Sequence, residues 1–134
     1  MMKATDRTVD DVLREEKNIN YHLEDLEQEK RRLVRFEEET ENVFGENLSQ
    51  LRELENFSLN SRDREDLDNI ILSYDYTRRF IISDIDDYQE TLRKHESKLY
   101  DRLEVLSRER QELYRKEEER KENAHGKNVP REFD

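Results

Sequence analysis

The side chains best suited to chemistry near neutral pH are three histidines, His22, His95 and His125. A metal centre between helices takes a Glu-x-x-His pair from each of two facing helices. Glu122-x-x-His125 is the single match in the chain, and a second is missing, so no metal site is expected. His95 falls on an apolar seam of a helix, where a hydrogen-bonded structural role is the expectation. There is no cysteine, which removes a thiol nucleophile, disulfides and thiolate metal sites, and fits a reducing compartment. Ser97 and Ser107 have no His–Asp constellation that spacing reveals. Glycine stands only at positions 45 and 126, too few for a phosphate-cradling loop. The carboxylates are spread along helix surfaces, where paired acid–base work has no pocket. The expectation is a protein without catalytic, cofactor or metal residues, and not an enzyme.

The elements that carry these residues follow from composition. Charged residues make up 46% of the 134 and hydrophobic ones 31%, against about 25% and 45–50% in ordinary globular domains. Such a chain can coat a stripe along a helix but cannot fill a thick core. Net charge is −11, a poor match for phosphate backbones, so nucleic acid is not an expected partner. The cluster Lys30-Arg31-Arg32 with Arg35 is embedded among acids and reads as a solvated face. No run of about 18 apolar residues offers a membrane span. Met1 to Arg14 contains no apolar signal region, so the expected location is the cytoplasm, or export with a partner by a route independent of a signal peptide.

The fold class expected is all-α: a long antiparallel helical hairpin, a coiled coil that completes a helical bundle with a partner. Helix 1 is expected over about 8–56, a bend at 57–61, and helix 2 over about 61–122, with a disordered tail at 123–134. Thr8 and Asp11 make a capping-box-like start. Val12, Ile19, Leu26 and Leu33 recur every seven residues, with Leu23 and Phe36 widening the stripe. Past Phe36 the phase shifts to Val43, Phe44, Leu48, Leu51 and Leu54, and Gly45 predicts a kink or helix boundary near 41–45. The break Asn56-Phe57-Ser58-Leu59-Asn60-Ser61 predicts the bend.

Helix 2 carries the clearest pattern. One row is Ile71, Arg78, Ile85, Leu92, Leu99, Leu106 and Leu113; the other is Leu67, Tyr74, Ile81, Tyr88, His95, Arg102 and Glu109. The second row turns polar after Tyr88, so the seam is expected to be double near the bend and single beyond it. Phe44, Phe57, Ile70, Leu72, Phe80 and Ile82 lie beside the seam, and a lone hairpin would leave some of them wet. Either these aromatics simply close the hairpin, or covering them calls for another hairpin, from a second copy or a different helical protein. The candidate partner-binding residues are therefore Leu67, Ile71, Tyr74, Ile81, Ile85, Tyr88, Leu92, Leu99, Leu106, Leu113, Phe57 and Phe80.

The layout over residues 8–120 resembles the small helical partners of LXG toxins in the type VII secretion systems of Gram-positive bacteria, hairpins distantly similar to WXG-type secreted proteins. The resemblance rests on a charged first helix, a short break, a Tyr-rich stretch from Ile71-Leu72-Ser73-Tyr74 to Phe80, and a Leu-, Arg- and Glu-rich close from Lys98-Leu99-Tyr100 to Leu113-Tyr114. It implies a chaperone-like targeting factor that binds the helical N-terminal domain of a toxin and promotes its export. The alternative is a structural coiled coil that homodimerises. The sequence departs from the broader group at the bend, where Phe57-Ser58-Leu59 replaces Trp-x-Gly. Export motifs there pair an aromatic with an acid four residues later; Phe80 with Asp84 and Tyr114 with Glu118 are the candidates, and Tyr21 with Asp25 and Tyr100 with Glu104 share the spacing.

Overall fold

The computed structural model describes residues 7–128, with side chains to residue 124. Two long helices pack against each other as a hairpin, and no strand occurs among the described residues. Helix α1 spans Val9–Glu53, a single 3-10 turn follows at Leu54–Asn56, and helix α2 spans Ser61–Asn128.

Each helix begins where side chains replace the missing backbone partners of its first turn. At α1 the Thr8 backbone amide donates to Asp11 Oδ2 at 3.1 Å, and the Asp11 amide donates to Thr8 Oγ1 at 3.2 Å. This reciprocal pair is the capping box read from the sequence. It also holds the Asp11 carboxyl below its ordinary pKa, through the Thr8 amide first and the Thr8 hydroxyl second. At α2 the cap is Asn60, whose Oδ1 accepts from the Asp63 amide at 2.7 Å. Between the helices the chain turns on a Phe57 amide to Leu54 carbonyl bond and leaves through an extended Phe57, without any positive φ among the described residues.

Two boundaries differ from expectation. α1 runs unbroken through Gly45: one glycine costs about 1 kcal/mol, too little to end a helix of 45 residues held by packing. α2 continues six residues past the expected end at Glu122, to Asn128. The pair Arg115–Glu119 supports the turns just before this extension, and Gly126 alone does not stop the helix. The segment 123–128 of the expected disordered tail is therefore helical, and 129–134 lie outside the described residues.

The chain divides into two compact units. One joins the described residues up to Glu24 with those from Glu96 onward; the other is Asp25–His95. In the terminal unit Val12 and Leu106 are completely buried and Ile19 nearly so, with Leu23, Leu99, Leu103 and Leu113 packed on them. In the bend unit Leu48, Leu67, Ile85, Leu92 and Thr40 are buried. In both units partners on α2 fall in number as those on α1 rise, as with Arg7–Glu109 and Glu15–Arg102, or Glu41–Arg78 and Asn47–Tyr74. Each unit is thus an antiparallel helix pair.

The seam follows the expected heptads with two amendments. On α1, Thr40 continues the row of Val12, Ile19, Leu26 and Leu33, and only then do Phe44, Leu48 and Leu51 take over; Val43 and Leu54 point outward. On α2, the second row does not simply fade after Tyr88. Half-buried positions appear one residue later, at Gln89, Glu96, Leu103 and Arg110, while Tyr88, His95 and Arg102 lie exposed and Glu109 stays half-buried. A straight helix drifts about 20° per heptad against a strict seven-residue repeat, so the flank that faces the partner helix changes along α2.

Candidate partner-binding surface

The terminal unit holds a cluster of partly shielded ion pairs. Glu15 sits between two arginines: Arg7 Nη2 lies 2.8 Å from Oε2, and Arg102 donates to both carboxylate oxygens at 3.1 Å. Burial raises the Glu15 pKa, but the hydrogen bonds from Arg7 and Arg102 outweigh it and hold the group below its ordinary value. Glu16 Oε1 and Arg110 Nε face each other at 3.1 Å, both shielded from water yet out of hydrogen-bond alignment, so the contact is an ion pair. These groups are occupied with one another and leave no open acid–base pair.

Polar order in the bend unit is also structural. Asn47 donates to the Tyr74 hydroxyl at 2.6 Å, and the Tyr74 ring lies 4.6 Å from that of Phe44. Arg78, the charged member of its apolar row, reaches across to both oxygens of Glu41 and back to Asp75. A polar group in a seam is satisfied only in one register, so this layer disfavours sliding of the two helices. Among the described residues no three His, Cys, Asp or Glu side chains are grouped to hold a metal ion. The described part of the Glu122–His125 pair ends at Glu122, since the histidine side chain lies outside it. His95 is exposed and engaged with a neighbour, not buried in the seam.

The residues expected to bind a partner fall into two groups. Leu67, Ile85, Leu92 and Leu106 are buried, and Ile71, Tyr74, Ile81, Leu99 and Leu113 are half-buried. These nine are a correction to the expectation of a partner seam. A heptad stripe has only one layer to fill, and α1 supplies a matching stripe, so they serve mainly to close the hairpin, and Leu67 and Tyr74 among them also edge open depressions. Tyr88, Phe57 and Phe80 remain exposed.

The free apolar surface lies elsewhere, and most of it belongs to Asp25–His95. Ten of the fifteen large hydrophobic side chains found exposed among the described residues are in that unit, so the bend unit carries the larger unpartnered surface. Two patches stand out. Leu72, Tyr76 and Phe80, each well over half exposed, follow one another at four-residue spacing, which aligns them on one face of α2, opposite the seam. At the bend, Leu54, Phe57, Leu59, Leu67 and Ile70 surround an open depression of about 300 Å³, bordered by Asp63 and Asp66. Ile70 also lines a second depression with Phe44, Asn69, Ser73, Tyr74 and Thr77.

Of these, Phe57, Ile70, Leu72 and Phe80 could be read from the sequence as lying off the seam. Tyr76 and Leu54 could not be singled out in advance, although the spacing of Leu72, Tyr76 and Phe80 was a signal for the first. Phe80 and Asp84 are both exposed on α2, as are Tyr114 and Glu118, so each aromatic–acid pair is presented to solvent on one helix face. No described helix is long and apolar enough to cross a membrane. Compared with family models, characterised proteins and solved structures, the chain has no match.

Proposed function

We propose that this protein is a non-enzymatic adaptor that binds the helical N-terminal domain of a type VII secreted LXG toxin and promotes its export. The observation that carries the reading is the unpartnered apolar surface of residues 25–95. Leu72 is 67% exposed, Tyr76 72% and Phe57 64%. Exposed apolar side chains grouped on one helix face, as Leu72, Tyr76 and Phe80 are, mark interaction sites in proteins that otherwise cover themselves with charge. A helix of a partner laid along Leu72, Tyr76 and Phe80 would remove these side chains from water.

The toxin as partner rests on the resemblance in layout, and the exposed pairs Phe80–Asp84 and Tyr114–Glu118 are compatible with an export signal. The competing reading is a homodimeric structural coiled coil, favoured by the same surface. Light scattering and thermal melting of the full chain, alone and with a purified LXG-toxin helical domain, separate the two. The adaptor reading expects a monomer, or a weak oligomer, whose melting temperature rises on adding the domain. A stable dimer whose melt the domain leaves unchanged would overturn it.

A further inference from the structure

We propose that the depression at the bend is the seat of an amphipathic helix that carries lysine or arginine beside its apolar row. This rests on the helix-binding reading and names the chemistry of the occupant.

The floor is apolar, through Leu54, Phe57, Leu59, Leu67 and Ile70, and the border is acidic, through Asp63 and Asp66. Neither aspartate joins a salt bridge among the described residues. The acids Glu53, Glu55, Glu65 and Asp68 follow close in sequence, and Arg62 and Arg64 are the only bases from position 53 to 70. An apolar floor with a one-signed border selects a ligand with an apolar face and flanking charge of the opposite sign.

Asp63, Asp66, Leu67 and Ile70 stand on α2, whose backbone groups are paired within the helix, while Phe57 and Leu59 belong to the bend; no strand among the described residues offers a sheet edge to an extended peptide. An occupant must bring its own satisfied backbone, which a helix does. Ile70 continues the apolar floor toward Tyr74 and Thr77. From Asp63 to Thr77 the surface runs about 20 Å along α2, room for four turns of a bound helix. A second copy is disfavoured at this seat, because two bends would bring Asp63 and Asp66 onto their like. The net charge of −11 adds to that repulsion. Nucleic acid and anionic membrane meet the same repulsion.

The test uses the full chain and two synthetic helical peptides of about 20 residues, with one apolar row flanked by lysines in the first and by glutamates in the second. Fluorescence anisotropy should show the lysine peptide binding at least about tenfold tighter, with affinity falling as salt is raised to ~0.5 M. Ile70→Asp discriminates between seating and mere attraction to an acidic chain. Seating expects this variant to weaken the lysine peptide by about tenfold or more, whereas bulk attraction expects it to bind tighter. Phe57→Ser, at an exposed bend position, should weaken it in the same direction without a change in helical content. Asp66→Lys with Asp63→Asn should abolish the preference for the lysine peptide. A preference that survives this change, equal binding of both peptides, or no loss in Ile70→Asp and Phe57→Ser would overturn the proposal. If a toxin's helical domain still binds Ile70→Asp at full strength, the seat fails while the adaptor reading stands. If the lysine peptide seats and the domain never binds, the reverse holds.

Discussion

The terminal unit and the bend unit are built from the same two helices, yet they differ in how fully they enclose apolar side chains. In the terminal unit Val12 and Leu106 are wholly enclosed, and ion pairs around Glu15 and Glu16 lie beside them. In the bend unit no large side chain is wholly enclosed, and ten large hydrophobics face water. The difference lies in width. A helix pair has one seam, and a stripe of one or two residues per turn fills it. Near the bend the apolar residues spread around the helix circumference, from Ile70 at the seam's flank to Leu72, Tyr76 and Phe80 behind it. No second helix of the same pair can reach both faces. The region that encloses more of its seam serves stability, and the one that leaves more apolar surface in water is freer to serve binding.

That contrast can be broken by experiment. The largest expected effect is Leu106→Ala, which empties a fully buried site and should cost about 2–5 kcal/mol in a denaturant melt followed by circular dichroism. Phe80→Ala, more than half exposed, should stay within about 0.5 kcal/mol. Equal losses would erase the distinction between the two regions. Next come the caps. Thr8→Ala and Asn60→Ala each remove a side-chain acceptor from a first turn and should cost about 1 kcal/mol. Hydrogen exchange resolved by peptide should place the first loss in the terminal unit and the second in the bend unit.

Gly45→Ala should act in the other direction. A Cβ at that position meets nothing within 4 Å, so the substitution gains helix propensity of about 0.5–1 kcal/mol without a clash. A lower melting temperature would show that the helix needs its glycine. The smallest effect concerns pH. Glu15 and Asp11 both titrate below their ordinary values in the folded chain. A depressed folded pKa contributes stability above the unfolded pKa, and that stability is lost as pH falls through the folded one. The terminal unit should therefore loosen as pH drops below about 4. Glu15→Gln should flatten that dependence; an unchanged acid profile would mean that the arginine contacts of Glu15 do not distinguish its folded state from its unfolded one.

Much of this arrangement was legible beforehand because it depends on local rules. Thr8 with Asp11, and Asn60 ahead of Asp63, mark helix starts by what their side chains can accept. The absence of proline before position 130 leaves both helices uninterrupted. The heptad rows name the buried face, and Leu67, Ile85, Leu92 and Leu106 were all in them. The step from that face to a partner is the one that no local rule decides. A row of leucines shows that something will cover it, without saying whether the cover is the same chain or another. The outward stripe at Leu72, Tyr76 and Phe80 was the better pointer, because a helix that has already spent one face on its neighbour has no internal use for the opposite one.

The sequence by itself determined that the chain is two long helices with a break near Asn56–Ser61 and a thin apolar seam, since periodicity, caps and breakers act within a few residues. It also determined the acidic surface. Only the tertiary structure decided which apolar residues the hairpin consumes and which it leaves out. That outcome depends on the register set by Arg78 with Glu41 and Asn47 with Tyr74, and on the drift of the seam from Tyr88 and His95 to Gln89 and Glu96. The two cross-helix pairs join residues far apart in the chain through contacts that no local pattern encodes.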